Sequence, residues 1–289
     1  MGVSPNMAQD LEASLLGPKA GSDPEPSLFT LRNIVLFSFL LTAFILVNLI
    51  FYRVANVLNR EKPASTSIRP KPSSHNPTHL LVVLGSGGHT AEMLTMLRRL
   101  PLLSQKYTHR TYVVSSGDSF SAQKADEFEK QLDTTGARDG AYDIVMVRRA
   151  RRVHQTLLTT PWSTIQCLWD CLKVLQGTHP KQRRRQGYPD LILTNGPGTG
   201  VCVVLAAIVL LCLGLSGPQK PRPGTTSTEE KPYYNGGQMR TIYIESWARV
   251  KTLSLSGTIL LPLADRFLVQ WPKAVDAGSR AEYVGALVA

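Results

Sequence analysis

The chain has few cysteines and few acidic residues, and each shortage narrows the classes of protein to which it can belong. Among 289 residues there are 4 cysteines, and 21 acidic residues against 32 basic ones give a formal net charge of +11. No histidine or second cysteine pair lies near them at ligand spacing, so we predict reduced core residues and no zinc site at Cys167, Cys171, Cys202 and Cys212. The excess of positive charge suits anionic lipid headgroups, diphosphates or nucleic acid.

Several ligand-binding motifs are also missing. Residues 85–88 are rich in glycine but are not a dinucleotide fingerprint, because the third glycine would fall at Thr90, and no Gly-Lys-Ser/Thr follows as in a P-loop. No D-x-D carboxylate pair is present, and we predict neither a metal nor a cofactor. The basic runs at residues 148–152 and 181–185 lack interleaved aromatic residues, which argues against nucleic acid as a partner.

The first part of the chain predicts a membrane anchor. Residues 34–52, IVLFSFLLTAFILVNLIFY, are uncharged over a length that can cross a hydrocarbon core. Basic residues are more frequent after this segment than before it, so the C-terminal part is expected in the cytosol. We predict a disordered lumenal N-terminus at residues 1–30, a transmembrane anchor at 31–53, a linker without packing contacts at 54–78, and a domain at 79–289 with a flexible insertion at 217–238.

Strand and helix patterns alternate from residue 79 onward. Such alternation produces right-handed crossovers, so we predict an α/β fold with a Rossmann-like parallel sheet covered by helices on both faces. Residues 201–215 are uninterruptedly apolar but too short for a second membrane span, and we predict a buried or membrane-grazing crossover helix there. The predicted strands are residues 80–84, 111–114, 142–147, 190–193, 241–244 and 267–270.

The polar residues that follow these strands form the predicted binding site, because ligands of open parallel sheets bind outside the carboxyl ends of the strands. Two glycine-rich strand-to-helix turns and an arginine pair favour an anionic group, and a diphosphate above all. A turn that only reverses the chain is the alternative for the first of these turns. The residues predicted to bind the anion are Gly85, Ser86, Gly87, Gly88, Thr90, Arg148, Arg149, Asn195 and Gly196.

Two titratable residues at this edge are candidates for chemistry, and we predict both as catalytic. His89, at the start of a helix, can act as a general base near neutral pH, with a structural cap as the alternative. Glu245 follows a buried strand, where it can accept a hydrogen bond from a sugar hydroxyl or, alternatively, pair with Arg249.

Three separated motifs carry a resemblance to a known family. They are GSGGHTAEM after the first strand, LILTNGPGTG, and IYIESWARVKTLSLSGTILLPLADRFLVQWP. They resemble the Alg14-type membrane-anchor subunit of the dolichol-pathway UDP-N-acetylglucosamine transferase, which is similar to the N-terminal half of MurG-type GT-B glycosyltransferases. The resemblance implies the acceptor-side half of an inverting enzyme that transfers N-acetylglucosamine from UDP-GlcNAc to GlcNAc-diphosphodolichol, the second step of lipid-linked oligosaccharide synthesis for N-glycosylation.

The resemblance also implies a partner and a location. Because few residues follow the sixth strand, a second Rossmann-like half is expected from a soluble, Alg13-type donor-binding subunit, without which this chain would be inactive. The expected location is the endoplasmic reticulum membrane and the contiguous outer nuclear membrane, with a single span and the domain in the cytosol. The alternative is a non-catalytic membrane receptor that recruits a self-sufficient cytosolic enzyme.

The C-terminal tail, residues 281–289, is mostly apolar, whereas a solvated terminus is usually polar. We predict that Tyr283, Val284 and Leu287 bind in a groove of the partner subunit. The alternative is that the tail folds back on its own sheet.

Overall fold

The structure is a computed structural model, and it describes most of the chain after residue 27. The chain divides into a first unit, Met1–Phe51, and a second, Tyr52–Ala289. Most of the predicted N-terminal tail and linker and nearly all of the predicted insertion lie outside the described residues. The described residues are 28–60, 78–100, 103, 107–134, 141–151, 155–156, 159–182, 187–196, 198–215, 237–274 and 280–288.

The predicted membrane segment forms helix α1, Leu28–Leu58, which is longer than the predicted span at both ends. Within the described ranges it is the one helix long and apolar enough to cross a membrane, and its most apolar 18 residues have a mean hydropathy of 2.7. Two polar side chains in this helix bond back to its own backbone: Thr42 Oγ1 donates to the Ser38 carbonyl and Asn48 Nδ2 to the Phe44 carbonyl, both at 2.8 Å. No extra partner is then needed for these groups in a hydrocarbon environment.

The second unit is built on a seven-stranded sheet whose strands are all parallel, in the order β3-β2-β1-β4-β5-β6-β7. The predicted Rossmann-like sheet and its six strands are confirmed. The seventh strand comes from the tail and was not predicted as a strand. The strands are β1 His79–Leu84, β2 His109–Ser115, β3 Ala141–Val147, β4 Leu191–Thr194, β5 Arg240–Ile244, β6 Arg266–Val269 and β7 Ala281–Tyr283.

Helices cover both faces of the sheet because successive residues of a strand point to opposite sides. The helices are α2 Gly88–Arg99, α3 Ser119–Thr134, α4 Thr160–Leu175, α5 Thr199–Cys212 and the short α6 Leu255–Leu260, followed by a 3-10 turn at Pro272–Ala274.

In β1, Leu80 and Val82 pack with Met93 of α2 on one face of the sheet, whereas Leu81 and Val83 pack against α4 and α5 on the other. A third cluster joins α5 and α6 to β5 and β6.

The apolar segment after β4 is a buried crossover helix, as predicted. One side of α5 packs against α4 in the core, and Cys202 and Ala206 are fully buried there. The four cysteines are free thiols, as predicted, and Cys167 and Cys171 of α4 are buried beside Cys202. Hydrogen bonding to Cys171 and burial raise the pKa of Cys167, and hydrogen bonding to Cys167 and burial raise that of Cys202. These groups therefore stay protonated at neutral pH.

Arg60, just after α1 and inside the second unit, makes side-chain contacts that the predicted linker without packing contacts did not include. Arg60 donates to both oxygens of Asp265, from Nε at 2.7 Å and Nη2 at 2.5 Å, and Nη1 donates to the Gln238 carbonyl at 2.8 Å. Asp265 also accepts from the Thr241 N–H at 2.8 Å. Burial raises the pKa of Asp265, but the hydrogen bonds and positive charge of Arg60, the Thr241 N–H and the charge of Arg240 together outweigh it and hold the pKa below its usual value.

A buried histidine lies at the amino edge of the sheet, opposite the edge where ligands are expected. His79 Nδ1 is 3.2 Å from the Gly187 carbonyl and Nε2 is 2.8 Å from Thr111 Oγ1. The carbonyl can only accept, so Nδ1 carries the proton and Nε2 accepts from the threonine. Burial lowers the pKa of His79 to about 4, against a smaller opposing effect of the Gly187 carbonyl.

This histidine makes stability depend on pH. His79 binds a proton near pH 6.5 when unfolded but only near pH 4 when folded, so its contribution is present above pH 6.5 and is lost as the pH falls toward 4. We expect the His79→Gln variant to lose about 3 kcal/mol less than the wild type in unfolding free energy between pH 7 and pH 4. Urea unfolding of the full chain in detergent measures the difference.

The matched control is Thr111→Val, which removes the hydroxyl partner of His79 but no titratable group. It should lower the unfolding free energy at every pH, but it should not reduce the dependence of that free energy on pH, as His79→Gln does. Equal pH dependence in the wild type and in His79→Gln would contradict the assignment of a neutral buried imidazole.

Candidate functional site

The candidate site lies at the carboxyl ends of β1 and β4, where the strand order of the sheet reverses. Such a reversal leaves a crevice in which α/β proteins bind ligands. The two predicted glycine turns meet there: a Cβ on Gly85 would lie 2.6 Å from Cβ of His89, and a Cβ on Gly196 would lie 3.2 Å from Cα of Gly85. A side chain would collide with His89 at the first position and would be crowded at the second, because the backbones of the two turns are in contact.

The first turn presents an exposed helix N-terminus to the crevice. Ser86, Gly87 and Gly88 are exposed, and Gly87 has φ 59°, a conformation that glycine adopts at little cost. The backbone N–H groups of Gly88 and His89 make no hydrogen bond within the described part of the chain. Unpaired N–H groups and the positive end of α2 together suit a phosphate or diphosphate.

The turn is supported from below by residues of α2 and α3. The Thr90 hydroxyl donates to the Gly85 carbonyl, and the Ser121 hydroxyl, 3.2 Å from the same carbonyl, donates to Asp118 Oδ2 at 2.7 Å. The Thr90 N–H bonds the Gly87 carbonyl at 3.1 Å, and the side chain is buried. The backbone N–H and the hydroxyl of Thr90 therefore both bond to the turn itself. In this structure Thr90 supports the turn, and its predicted contact with the ligand stays a prediction.

Side chains from three strand ends form a hydrogen-bonded chain beside the turn. His89 Nδ1 is 3.2 Å from Asn195 Oδ1, and Asn195 Nδ2 donates to Glu92 Oε2 at 2.8 Å. The Ser246 hydroxyl donates to the other oxygen, Glu92 Oε1, at 2.9 Å. The structure thus brings His89 and Asn195 together at the edge of the sheet where both were predicted to lie. It adds Glu92, which the sequence analysis did not single out.

Glu245 is buried, and its carboxylate oxygens accept hydrogen bonds from the loop that follows β5. They accept from the Ser254 N–H at 3.0 Å, the Ser254 hydroxyl at 3.1 Å and the Ser246 N–H at 3.2 Å. Ser254 in turn caps α6, since its Oγ accepts from the Gly257 N–H at 2.9 Å. These contacts fix the loop, and among the described residues they take the place of the alternative pairing with Arg249. A catalytic role of Glu245 stays a prediction.

The two predicted arginines differ in what they contact. Arg148 donates to both carboxylate oxygens of Asp170 in α4, at 2.8 Å from Nε and 2.7 Å from Nη2, and these bonds lower the pKa of Asp170. Arg149 reaches the end of β2, where Nε donates to the Ser116 carbonyl at 2.8 Å. Arg149 is therefore the better placed of the two to add positive charge beside the strand ends.

Two further features near this edge were missed from the sequence. On α4, Trp162, Ile165 and Trp169 are each more than half exposed, and their spacing puts them on one face of the helix. After β5 and β6, the rings of Trp247 and Trp271 lie 4.2 Å apart, and Trp271 Nε1 donates to the Trp247 carbonyl at 2.7 Å. The helical period of the first group was the signal that could have found it.

Among the residues that the structure describes, no group of three histidine, cysteine or acidic side chains is arranged to hold a metal ion. The site instead contains backbone N–H groups, one imidazole, amide and hydroxyl groups, flanking arginines, and the carboxylates of Glu92 and Glu245, which accept hydrogen bonds from neighbouring residues. The exposed N–H groups and the arginines suit an anionic ligand.

The fold and this site define a class: an α/β protein with a Rossmann-like parallel sheet, one apolar helix that fits a membrane anchor, and a crevice at the switch point whose exposed N–H groups suit an anion. Comparison with known proteins gives the family. Residues 80–287 match the family model described as oligosaccharide biosynthesis protein Alg14 like. The chain belongs to the Alg14 family.

Relatives of known name agree with this assignment. The chain is 47% identical over 227 residues to UDP-N-acetylglucosamine transferase subunit alg14 of Aspergillus fumigatus, covering 68% of this chain and 100% of that one. It is 39% identical to the subunit of that name from Schizosaccharomyces pombe, covering 72% and 82%, and 35% identical to the human ALG14 subunit, also covering 72% and 82%. Among solved structures, MurG of Acinetobacter baumannii aligns with a TM-score of 0.42 at 12% identity, covering 72% of this chain and 45% of that one.

The anion site can be tested through Gly87. A valine there would be strained at φ 59° and would fill open space beside the exposed N–H groups. We expect Gly87→Val to weaken the binding of inorganic pyrophosphate to the full chain in detergent by at least about tenfold, as measured by calorimetry.

The matched control is Gly214→Val, at a glycine after α5 with φ 73° and equally open surroundings. Both variants should lose about 1–2 kcal/mol of stability from the left-handed backbone conformation. If Gly87→Val binds pyrophosphate as well as Gly214→Val does, the turn is not the anion site.

Proposed function

We propose that the chain is the membrane-anchoring, acceptor-binding subunit of a two-subunit UDP-N-acetylglucosamine transferase that adds N-acetylglucosamine to GlcNAc-diphosphodolichol on the cytosolic face of the endoplasmic reticulum. The observation that carries the proposal is the meeting of an anion-binding turn and His89 at one strand edge, in a chain of the Alg14 family. The names of its relatives support the nucleotide sugar as donor.

In the proposed reaction the acceptor diphosphate binds the N–H groups at the start of α2, and Arg149 adds positive charge. The acceptor sugar's 4-hydroxyl attacks the anomeric carbon of UDP-N-acetylglucosamine, which the partner subunit holds. The bond between that carbon and the UDP oxygen breaks, and UDP leaves with the electron pair. His89 Nε2 takes the proton of the attacking hydroxyl, because Nδ1 is engaged by Asn195.

Two apolar surfaces support a position at the membrane, where a lipid-linked acceptor is found. Helix α1 is long and apolar enough to span the bilayer. The exposed face of α4 carries two tryptophans, a residue type that favours the membrane interface. Lys173, close to Trp169 on the same helix, and Arg151 before the helix add positive charge that anionic headgroups attract.

The tail and an adjoining groove support a partner subunit. Strand β7 pairs with β6, so the predicted alternative of a tail folded back on its own sheet holds for Ala281–Tyr283. Tyr283 and Val284 nevertheless remain 54% and 38% exposed. Leu287 lines an apolar groove of about 440 Å³ beside the tail, between α2 and the exposed face of β4, β5 and β6. We propose that the partner covers this groove and the exposed tail residues together.

The function is tested by reconstituting the full chain in vesicles with the soluble donor-binding subunit, UDP-N-acetylglucosamine and GlcNAc-diphosphodolichol. The His89→Ala complex should keep the partner on the membrane but transfer sugar about 10²–10⁴-fold more slowly, the usual contribution of a general base. A partner subunit that transfers at the full rate without this chain would favour the alternative of a receptor that only recruits an enzyme.

The partner surface is tested by Tyr283→Ser combined with Val284→Ser, which removes two exposed apolar side chains without deleting β7. Burying two such side chains contributes on the order of several kcal/mol before ordering costs, so partner affinity should fall at least about tenfold. Co-precipitation at matched expression measures the loss, with Leu213→Ser as the control at an equally exposed apolar residue on α5's end. Wild-type recovery of the partner by the double variant would exclude docking on the tail.

A further inference from the structure

Glu92 lies one turn after His89 on α2, and both side chains reach Asn195. His89 Nδ1 is 3.2 Å from the amide oxygen of Asn195, and the amide nitrogen donates to Glu92 Oε2 at 2.8 Å. Asn195 is buried, with 1% of its surface exposed, and Glu92 is half-buried. The amide of Asn195 therefore lies between an imidazole and a carboxylate, with little contact with water.

This arrangement fixes the direction of the hydrogen bonds that link His89, Asn195 and Glu92. An ionised carboxylate only accepts hydrogen bonds, so Glu92 holds the amide nitrogen of Asn195 on its own side. The amide oxygen then faces His89, and because this oxygen also only accepts, His89 Nδ1 must carry the proton. In the neutral imidazole the remaining nitrogen, Nε2, has the lone pair that a general base needs.

The carboxylate is itself held by a third strand end. Ser246, after β5, is almost fully buried and donates its hydroxyl to Glu92 Oε1 at 2.9 Å. The same Ser246 oxygen accepts from the Ala248 N–H at 3.3 Å, which leaves the hydroxyl proton for Glu92. Each carboxylate oxygen thus has one donor, and the carboxylate cannot turn without losing one of them.

We propose that Glu92 is a positioning residue, which sets the tautomer of His89 through Asn195 so that Nε2 is the basic nitrogen. The inference rests on the proposed function, in which His89 is the general base. Glu92 touches neither substrate in this scheme and acts only through the imidazole. Without the carboxylate, the Asn195 amide can rotate and present its nitrogen to His89, which places the proton on Nε2 and blocks the base.

The first test is Glu92→Gln in the reconstituted complex. Glutamine keeps the size of the side chain but can donate to Asn195, so the direction of the amide is no longer fixed. We expect kcat to fall at least about tenfold, up to the roughly 10²–10⁴-fold contribution of a general base, while KM for both substrates changes less than about twofold. The control is Glu127→Gln on the exposed side of α3, where the carboxylate pairs with Lys124, and wild-type kcat is expected.

A second variant moves the carboxylate instead of removing it. In Glu92→Gln combined with Asn195→Asp, the new carboxylate accepts directly from His89 Nδ1. The amide nitrogen of the introduced glutamine donates to this carboxylate, and the amide oxygen accepts from Ser246. The tautomer is restored, so kcat should return to within about fivefold of the wild type, since all hydrogen bonds are again made. Should Glu92→Gln alone fail to assemble, this variant decides, and a kcat as low as that of His89→Ala would overturn the proposal.

A double-mutant cycle separates positioning from a structural effect. If Glu92 acts only through the imidazole, His89→Ala combined with Glu92→Gln should be no slower than His89→Ala alone, because groups that act as a unit are not additive. Rate losses that multiply would overturn the proposal.

The single variants also separate this proposal from the proposed function. Wild-type kcat in Glu92→Gln together with a loss in His89→Ala would overturn the positioning role alone. Wild-type kcat in His89→Ala would overturn the general base and the positioning role with it. Partner recovery is measured for every variant, so that a loss of the complex is not mistaken for a loss of kcat.

Discussion

The site depends on the close approach of two glycine turns. The backbones of Gly85 and Gly196 lie so close that a Cβ on Gly196 would be 3.2 Å from Cα of Gly85. This approach brings His89 of one turn within hydrogen-bond distance of Asn195 of the other. A side chain on Gly196 would press on the first turn, and one on Gly85 would collide with Cβ of His89, so either would disturb the hydrogen bond between His89 and Asn195.

Carboxylates fix the two edges of the sheet for different purposes. At the amino edge, Asp190 accepts from the His79 and Gly237 N–H groups, and Asp265 accepts from Arg60 and Thr241, so this edge is closed by its own polar groups. At the carboxyl edge the carboxylates support the loops from within, while the N–H groups at the start of α2 face outward. One edge therefore contributes stability and the other is left open for a ligand.

In the proposed complex the two apolar surfaces contact different partners. The exposed face of α4 follows β3 and its arginines, and we propose that it meets the lipid that carries the acceptor. The groove beside Leu287 lies on the opposite face of the sheet, under α2, where β4 to β6 have no covering helix among the described residues. Membrane and partner would then contact opposite faces of the sheet, and both contacts would leave the strand edge accessible.

The sequence by itself determined the local elements of this protein. Apolar runs of strand length, glycine-rich turns and helical periods predicted six strands, the helices between them, the buried α5 and the membrane helix, because these depend on neighbours within a few residues. The sequence also placed His89 and Asn195 at the same edge of the sheet, since parallel strands end at one edge. The strand β7 did not, because three residues are too few for a periodic pattern.

Tertiary structure alone decided which polar groups meet. Glu92 is 103 residues from Asn195 and 154 from Ser246, and Arg60 is 205 residues from Asp265. Local patterns class such residues as solvated helix faces or linker, because a carboxylate looks the same in the sequence whether water or an amide lies beside it. Only the packing of α2 beside the ends of β4 and β5 brings Glu92 to Asn195 and Ser246.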